Sequence, residues 1–559
     1  MASSNDSLDL LLADADEGRP VLDEGLAREV SERGPKPKKS ARGDDSPDWR
    51  RTDADPNDLP LQRWGVVAPE GKEGSRMLEA ITPLLRLREQ EQGAPVTVYR
   101  VPGEMDARQA VLWKDEVYWS EDVEEDDRPL YLLLLGDLHH VSLELQHALA
   151  NGALVGRAHF GDAAGDPDLD GYAGYAEKVA RFAREGTPDA APDLLFYVAR
   201  DGTSATMNGE ARLVAPGLEI ARRSSEQGRL AAASVREIEA DTVGALLDAG
   251  AGSRPSVLLS VSHGVGAPRR GWSSEEEQWQ RQGALVLGQK EILDAERISG
   301  QPFLPGGLWF CLACFGAGTP SVSAYLAWLS MLAQEGAYRG KASAVLASLP
   351  SPGQRPFVAA LPQAALRNAA GPLAVIGHMD LAWTYGFSSA TNLSQSRASR
   401  ILSAIDVMAR GSRAGVALEA LMRFYRETND ALMTSYQLET DARAHGRPDP
   451  TDREERGHLW MLRNDLRGYV LLGDPAARLP LAQNALRADT AERLAATAVQ
   501  LSPPVAGDVS VSVKEAAVLG LIRGAEAPLA IAARAGAPLE ALWAWFDAYR
   551  AGGRAGLGG

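Results

Sequence analysis

The stretch Leu308-Trp-Phe-Cys-Leu-Ala-Cys-Phe-Gly-Ala-Gly318 has the pattern of an apolar β-strand that runs directly into a glycine-rich loop. A second stretch, Ser256-Val-Leu-Leu-Ser-Val-Ser-His-Gly-Val-Gly266, has the same construction. In open parallel sheets, reactive side chains gather beyond the carboxyl ends of the strands, because the strands fix the geometry and the loops leave room for a ligand. If the two strands are parallel neighbours, His263 and Cys314 come to the same edge of the sheet.

Short apolar runs alternate with longer helical patterns from Leu59 onward. This alternation predicts an α/β chain whose mostly parallel sheet is flanked by helices. The candidate strands are residues 63–68, 96–101, 131–135, 154–160, 194–199, 256–262, 308–314, 373–377 and 468–472. The candidate helices are residues 76–91, 169–185, 235–249, 325–335, 395–410 and 414–438. So many strands favour two sheets, so we expect a smaller α/β subdomain over 59–150 and a larger domain over 151–481.

The two ends of the chain differ from this body in composition. Residues 1–58 are rich in acidic side chains and have few large apolar groups after Val30, which predicts a disordered acidic leader. Pro503 and Pro504 interrupt the chain further on, so residues 482–510 are interpreted as a linker. Residues 511–559 contain helical pieces whose breaks have the spacing of a helix-turn-helix, which predicts a small helical domain.

The composition bounds the classes of function. The 559 residues carry a formal net charge of −17, with 45% hydrophobic and 24% charged side chains, which are ordinary globular proportions. An acidic body repels phosphate backbones and so disfavours nucleic-acid binding by the whole chain. The 2 cysteines exclude a disulfide scaffold and favour a reducing, cytoplasmic location. Neither a signal peptide nor a run long enough to cross a bilayer is visible, so we expect no membrane partner.

A thiol paired with an imidazole has a defined chemistry. The thiol attacks a carbonyl as the thiolate, and the imidazole takes its proton and later donates it to the leaving amine. We therefore expect His263 to act as acid and base and Cys314 as nucleophile. The developing oxyanion needs fixed donors, and the backbone N–H groups of Gly264 and Cys314 are the candidates. This is a cysteine-protease arrangement, which acts on protein substrates and needs no cofactor and no metal.

Structural roles compete with these assignments. Buried free cysteines are common, and a histidine at the end of a strand is often only hydrogen-bonded. Cys311 and Cys314 also form a C-x-x-C pair, but residues three apart in a strand are about 10 Å apart and face opposite sides, too far for a disulfide. A zinc site would need further ligands, which no His or Cys cluster supplies. We therefore place Cys311 in the core, and we interpret His378, which no glycine follows, as structural.

These residues resemble the caspase-like superfamily (clan CD) of cysteine peptidases, which includes caspases, metacaspases, legumain, gingipains and separase. Cys314 follows His263 by about 50 residues, a separation similar to that in caspases. A bacterial gingipain-like branch, related to the CHAT proteases, is more similar still. The matching stretches are Trp64-Gly-Val-Val-Ala-Pro-Glu70, Tyr131-Leu-Leu-Leu-Leu-Gly-Asp137, Val155-Gly-Arg157, Ser262-His-Gly264, Ala313-Cys-Phe-Gly-Ala-Gly-Thr319, Ala374-Val-Ile-Gly-His378 and Leu471-Leu-Gly-Asp-Pro475.

The resemblance implies a caspase-like catalytic domain over 151–481, with the dyad at the carboxyl edge of its sheet. It also implies that Trp383 lies on the wall of the pocket for the residue before the scissile bond, with Asp380 nearby to attract arginine or lysine. The alternative is that Trp383 packs against the sheet and Asp380 caps a helix. Arg-specific gingipains carry an aspartate where this chain has Ala148-Leu-Ala-Asn151, and metacaspases carry one where it has Leu312, so a basic preference does not follow.

The carboxyl-terminal segment supports a second hypothesis. Residues 530–543 resemble the helix-turn-helix of transposase-type proteins, but the last helix offers aromatic rather than basic side chains. We therefore favour a protein partner over DNA for residues 511–559, the alternative being that the aromatics form the segment's own core.

The sequence as a whole predicts an intracellular caspase-like cysteine endopeptidase, with a role in bacterial defence or regulated cell death by analogy of fold alone. The competing prediction is a non-catalytic regulator or scaffold that binds protein or DNA through residues 511–559.

Overall fold

The structure is a computed structural model that describes residues 7–22, 24–27, 29–30, 55–121, 123–388, 396–482 and 511–523, together with parts of 531–549. The chain divides into two compact units. The first comprises Met1–Pro47 and Asp189–Leu472, and the second comprises Asp48–Pro188 and Gly473–Gly559.

The secondary-structure elements are numbered here along the chain. The strands are β1 (Ser7–Leu8), β2 (Leu12–Ala13), β3 (Leu26–Ala27), β4 (Trp64–Pro69), β5 (Thr97–Val101), β6 (Tyr131–Leu135), β7 (Leu154–Ala158), β8 (Asp193–Val198), β9 (Ser234–Glu237), β10 (Ser256–Val261), β11 (His263–Val265), β12 (Leu285–Val286), β13 (Ile292–Leu293), β14 (Leu308–Leu312), β15 (Gly318–Thr319), β16 (Phe357–Val358), β17 (Ala374–His378) and β18 (Tyr469–Gly473).

The helices follow the same numbering. They are α1 (Leu59–Gln62), α2 (Gly71–Ala80), α3 (Thr82–Gln92), α4 (Ala107–Trp113), α5 (Leu143–Ala150), α6 (Leu169–Glu185), α7 (Ser204–Gly209), α8 (Ala215–Glu226), α9 (Val243–Gly250), α10 (Glu275–Arg281), α11 (Ala295–Ser299), α12 (Leu326–Ala333), α13 (Arg339–Leu346), α14 (Ala360–Arg367), α15 (Ala398–Ala409), α16 (Ala414–Ala444), α17 (Arg453–Gly468) and α18 (Val511–Arg523). Short π- and 3-10-helical turns are Lys114–Tyr118, Glu125–Asp127, Glu210–Val214, Gly288–Lys290 and Thr384–Phe387.

The first unit is built on strands in the order β18-β17-β14-β10-β8-β9. The pairs β17/β14, β14/β10, β10/β8 and β8/β9 are all parallel. Strands β10 and β14 are buried along their whole length, because helices cover a parallel sheet on both faces and leave no position for alternating polar side chains. A small sheet in the order β13-β12-β11-β2 lies in the same unit.

The second unit has parallel strands in the order β5-β4-β6-β7. Side chains of α4 and α5, among them Trp113 and Leu145, form one apolar cluster with Val67, Leu134 and Val155 of the strands. Helix α6 packs against α2 and α3. This packing explains why the unit continues to Pro188, past the expected boundary between residues 150 and 151, because α6 has its partners in the second unit.

The predicted fold class is confirmed: the chain is α/β, with mostly parallel strands flanked by helices. Two predicted helices differ from those observed. The helix expected over 76–91 is divided into α2 and α3, because Pro83 stands at the start of α3, where a proline begins a helix. The helix expected over 235–249 starts as strand β9, and α9 begins only after Thr242, whose hydroxyl accepts the Ala245 N–H at 3.2 Å.

The amino-terminal segment from 7 to 22 is folded, where the sequence predicted a disordered leader. Strand β1 pairs with β3, and β2 pairs in parallel with β11 of the first unit. The leucines of this segment are buried: Leu8, Leu10, Leu11 and Leu12 are at most 1% exposed. Their burial against the unit overrides the acidic composition on which the prediction rested. Residues 31–54 of the expected leader and 483–510 of the expected linker lie outside the described residues.

The carboxyl-terminal segment belongs to the second unit. Of the three helical pieces predicted there, residues 513–522 are observed within α18, while much of 529–535 and 539–551 lies outside the described residues. Trp543 is 2% exposed, with the guanidinium of Arg100 placed 3.8 Å from its ring centroid. At least this aromatic side chain is therefore covered within its own unit, and a partner protein for residues 511–559 stays a prediction. Among the helices described, none is long and apolar enough to cross a membrane.

A buried carboxylate links distant parts of the second unit. Asp474 is fully buried, and its side chain accepts hydrogen bonds from Trp64 Nε1 at 2.9 Å, Arg88 Nε at 2.9 Å and the Ala476 backbone N–H at 3.0 Å. Its own N–H donates to the Tyr175 hydroxyl at 2.6 Å. The residue thus fixes the turn after β18, as the sequence predicted, and also holds β4 and α3.

Replacement of this carboxylate should strongly destabilise the unit. We expect Asp474→Ala to lower the free energy of unfolding by about 3 kcal/mol, because it leaves the buried Arg88 guanidinium without its main partner. Asp406→Ala, which removes an exposed partner of Arg410, is the control and should cost about 0.5 kcal/mol. Denaturant unfolding of the three proteins measures both values, and equal losses would contradict this account.

Candidate active site

The strand register brings the predicted dyad to one edge of the sheet. Strands β10 and β14 are parallel neighbours, with Val261 paired to Leu312, so the expectation of adjacent parallel strands is confirmed. His263 and Cys314 each stand two residues beyond these paired positions. The chain segments also touch: a Cβ on Gly264 would lie 1.8 Å from the Cys314 carbonyl oxygen, so only glycine fits there.

Cys314 lies at the start of a tight turn. The Ala313 carbonyl accepts the Gly316 N–H at 3.2 Å, and between them Phe315 has a φ of 57°. A left-handed backbone is costly for a side chain of this size and is held here by fixed contacts, such as the Phe315 N–H donating to the Asp380 carbonyl at 2.9 Å. Strand β14 ends at Leu312, so Cys314 stands beyond the strand ladder at the start of this loop.

The Cys314 thiol is buried beside the backbone of Ala382. Its Sγ accepts the Ala382 N–H at 3.2 Å and lies 3.6 Å from the Ala382 carbonyl oxygen. Burial, followed by the nearby charges of Asp380 and Asp465, raises the pKa of Cys314 well above its ordinary value. In the described arrangement the sulfur is therefore a neutral thiol.

His263 is held through one of its two ring nitrogens. Its Nε2 lies 3.0 Å from Thr203 Oγ1 and 3.2 Å from Asp201 Oδ2. The Thr203 hydroxyl donates its proton to Asp201 Oδ1 at 2.8 Å, so it can only accept from the histidine. Nε2 therefore carries the ring proton, and Nδ1 is left as the basic nitrogen. Nδ1 is buried, and none of the described residues hydrogen-bonds to it.

Asp201 is a site residue that the sequence reasoning missed. Burial alone would raise the pKa of its carboxyl group, but hydrogen bonding and charge from His263, with further bonds from Thr206 and Thr203, hold that pKa below its usual range. The only signal in the sequence was an aspartate that follows a strand, β8, adjacent to β10. Many aspartates in loops have that position, so it gave no reason to choose this one.

The predicted oxyanion donors converge on a single oxygen. The backbone N–H groups of Gly264 and Cys314 both donate to the carbonyl oxygen of Leu11, at 2.8 Å and 3.1 Å. An oxyanion hole requires two such donors on one oxygen, so the arrangement is compatible with the predicted role, which stays a prediction. Leu11 belongs to the amino-terminal segment, which the sequence did not place at this site.

The predicted pocket residues are engaged in packing. The Asp380 carboxylate accepts hydrogen bonds from Ser323 Oγ and from the N–H groups of Ala324 and Leu381, each at 2.8 Å, and burial raises the pKa of Asp380 to about 6. The Trp383 ring is fully buried and lies 5.7 Å from the ring of Tyr325, centroid to centroid. Asp380 is therefore bound by the segment just before α12, and Trp383 packs against an aromatic ring at the start of that helix. A role of either side chain in substrate recognition stays a prediction.

Two other candidate residues lie in the core. Cys311 is buried within β14, and burial raises its pKa to about 12. His378 is buried, with its ring nitrogens 2.8 Å and 2.9 Å from the carbonyl oxygens of Asp380 and Asp465, and burial lowers its pKa to about 4. Both nitrogens are therefore engaged by the backbone. Among the described residues, no group of His, Cys, Asp and Glu side chains is arranged to hold a metal ion.

The fold is similar to that of solved cysteine proteinases. A crystal structure of the Arg-specific cysteine proteinase gingipain R has 11% sequence identity and a TM-score of 0.42, over 75% of this chain and 78% of that one. A complex of the pro- and mature domains of RgpB from Porphyromonas gingivalis has 12% identity and a TM-score of 0.42, over 74% and 79%. At these identities the likeness concerns the fold alone. No family model and no curated protein matches the sequence.

The pairing of Asp201 with His263 should make stability depend on pH. The folded-state pKa of Asp201 is lowered, so its contribution is complete above the unfolded value of about 3.9 and is lost as the pH falls towards the folded value. We therefore expect Asp201→Asn to reduce the free energy of unfolding more at pH 7 than at pH 3.

Denaturant unfolding at the two pH values measures this difference. Asp248→Asn, which changes an exposed carboxylate on α9, is the control and should have little effect at either pH. A loss for Asp201→Asn that is the same at both pH values would show that the carboxylate does not stabilise the fold through its charge.

Proposed function

We propose that the chain is a cysteine endopeptidase with His263 and Cys314 as its catalytic residues. The observation that carries the proposal is the convergence of the Gly264 and Cys314 N–H groups on one carbonyl oxygen beside the Cys314 thiol. Structural cysteines in a core have no need of such a donor pair, whereas acyl transfer from a peptide does. The Nδ1 of His263 lies on the segment that abuts Cys314 and has no hydrogen-bond partner in the described part of the chain, so it can supply the base.

The first step of the proposed reaction forms the acyl-enzyme. The Cys314 proton passes to His263 Nδ1, and Sγ forms a bond to the carbonyl carbon of the scissile peptide. The carbonyl oxygen becomes an oxyanion and accepts from the Gly264 and Cys314 N–H groups. As the C–N bond breaks, Nδ1–H protonates the leaving amine, which departs as the new amino terminus.

The second step releases the acid product. A water molecule loses a proton to Nδ1 and attacks the thioester carbonyl, and the C–S bond breaks to return the thiol and a carboxylic acid. The same oxyanion donors serve both steps. Asp201 and Thr203 act as positioning residues throughout, since they hold Nε2–H and stabilise the imidazolium that each step creates.

The biological setting belongs to the proposal as well. Both cysteines are free, which is consistent with a reducing, cytoplasmic location. The substrates are polypeptides, since the donor pair fits a peptide carbonyl. A role in bacterial defence or regulated cell death is inferred from the caspase-like resemblance of the sequence.

Removal of either dyad residue should abolish peptide cleavage. The assay measures cleavage of an unstructured protein by the full-length chain carrying Asp9→Lys. This change removes a carboxylate bound by Ser204 and Asn208, and so weakens the binding of the amino-terminal segment at the site. In this background Cys314→Ala and His263→Ala should each reduce the rate by about 1000-fold or more, because nucleophile or base is lost.

Cys311→Ala is the matched control. It removes the other buried thiol, three residues earlier in the chain, and should keep the rate within about tenfold of the background, since Cys311 contacts Ser260 in the core. Cleavage that persists in Cys314→Ala would exclude this site as its source. A background chain that folds but cleaves none of a proteome-derived peptide library would contradict the proposal as a whole.

A further inference from the structure

The amino-terminal segment runs through the candidate site with the backbone contacts of a bound peptide. Leu11 donates its N–H to the Ala382 carbonyl at 3.3 Å, while its own carbonyl is held by the Gly264 and Cys314 N–H groups. The Ala382 backbone also contacts the Cys314 sulfur. The carbonyl oxygen of Leu11 therefore occupies the two N–H groups that are the candidate oxyanion donors.

The segment extends to both sides of Leu11. On its amino side, Leu10 forms an antiparallel bridge with Trp383, and the Thr384 N–H donates to the Asp9 carbonyl at 3.2 Å. On its carboxyl side, Leu12 pairs in parallel with Gly264 in the small sheet. Addition of an extended peptide to strand edges is a common mode of peptide recognition, in which the backbone gives affinity and side-chain pockets give specificity.

We propose that residues 7–13 occupy this site as an internal substrate analogue and that they identify the substrate class. The site selects polypeptides with leucine directly before the bond to be cut and aspartate two residues earlier, the positions of Leu11 and Asp9. The inference rests on the proposed proteolytic function and adds its specificity and its regulation, since any substrate must first displace this segment.

The surroundings of Leu11 favour an apolar side chain. Leu11 is fully buried. The carboxylate expected to attract a basic residue, Asp380, already accepts three hydrogen bonds from the chain itself. An arginine or lysine in place of Leu11 would bring a positive charge to a fully buried position, and such a charge is strongly unfavourable without a partner.

The surroundings of Asp9 favour an acidic side chain. Asp9 is 1% exposed, and Ser204 Oγ donates to its Oδ1 at 2.7 Å, while Asn208 Nδ2 donates to its Oδ2. Ser204 and Asn208 lie four residues apart on α7, so they share one face of that helix. Ser7 Oγ, within the segment, also donates to Oδ1 at 2.9 Å. The two donors on α7 come from outside the segment, so they form a receptor for a carboxylate whether it belongs to Asp9 or to a substrate.

Active-site-directed reagents test the proposal on the full-length chain carrying Asp9→Lys. Three acyloxymethyl ketones are compared, with the peptide parts acetyl-Asp-Leu-Leu, acetyl-Asp-Leu-Arg and acetyl-Asn-Leu-Leu. In each, the cysteine thiolate forms a C–S bond to the ketone's methylene, the C–O bond breaks, and a carboxylate leaves. Mass spectrometry locates the added mass. We expect Cys314 to react with the Asp-Leu-Leu reagent at least about tenfold faster than with the other two.

Variants separate the two parts of this specificity. Ser204→Ala combined with Asn208→Leu should remove the preference for Asp over Asn and keep the preference for Leu over Arg. In the wild-type chain, which keeps Asp9, labelling of Cys314 by the Asp-Leu-Leu reagent should be at least about tenfold slower than in the Asp9→Lys chain, because residues 7–13 compete for the site. Glu17→Lys, the same charge reversal at an exposed position of the segment, is the control and should remain as slow as the wild type.

The failures of the two proposals give different results. Rapid labelling of Cys314 with the Arg reagent preferred, or with no preference, would overturn the substrate class and leave the proteolytic site in place. Labelling of Cys314 by iodoacetamide but by none of the peptide reagents would remove the proteolytic function and this inference with it. Equal labelling rates in the wild type and Asp9→Lys would overturn the occupancy of the site by residues 7–13.

Discussion

The arrangement of the site depends on the two hydrogen bonds that the Leu11 carbonyl oxygen accepts from Gly264 and Cys314. These hydrogen bonds require the backbone at Gly264 to approach the backbone at Cys314 so closely that no Cβ fits between them. Glycine allows this approach because it has no side chain. The Cys314 N–H is available for this contact because β14 ends at Leu312, before the left-handed turn at Phe315. Both segments must also lie at one edge of the sheet, and the register of the parallel strands β10 and β14 places them there.

Much of this arrangement could be predicted from the sequence. Strands buried on both faces are nearly continuous apolar runs, so each predicted strand overlaps an observed one, and the two that end in His263 and Cys314 were the clearest. Asp201 could not be chosen in this way, because its role depends on β8 lying next to β10, and strand order is a long-range property. The roles of the dyad and of the oxyanion donors remain predictions that the geometry supports.

The amino-terminal segment shows where composition misleads. Its acidic side chains suggested a solvated leader, yet the Asp9 carboxylate accepts hydrogen bonds from side chains of α7 and the leucines pack against the unit. The opposite difference is found for the residues expected to define the pocket, whose side chains were expected to face a substrate. Asp380 and Trp383 have packed side chains, and it is the backbone of residues 382–384 that meets the segment. A sequence pattern identifies which side chains are unusual, but it does not distinguish contacts made by side chains from contacts made by the backbone.

The occupant of the site and the site itself are parts of one polypeptide. Intramolecular ligands of this kind act at an effective concentration on the order of millimolar, set by the connecting chain and independent of how much protein is present. On the proposed assignment, dilution would not open the site, and a polypeptide of modest affinity at micromolar abundance would seldom enter it. Selectivity would then come from a threshold: only partners that also engage surfaces beyond the site, or events that loosen residues 7–13, would give access to the thiol.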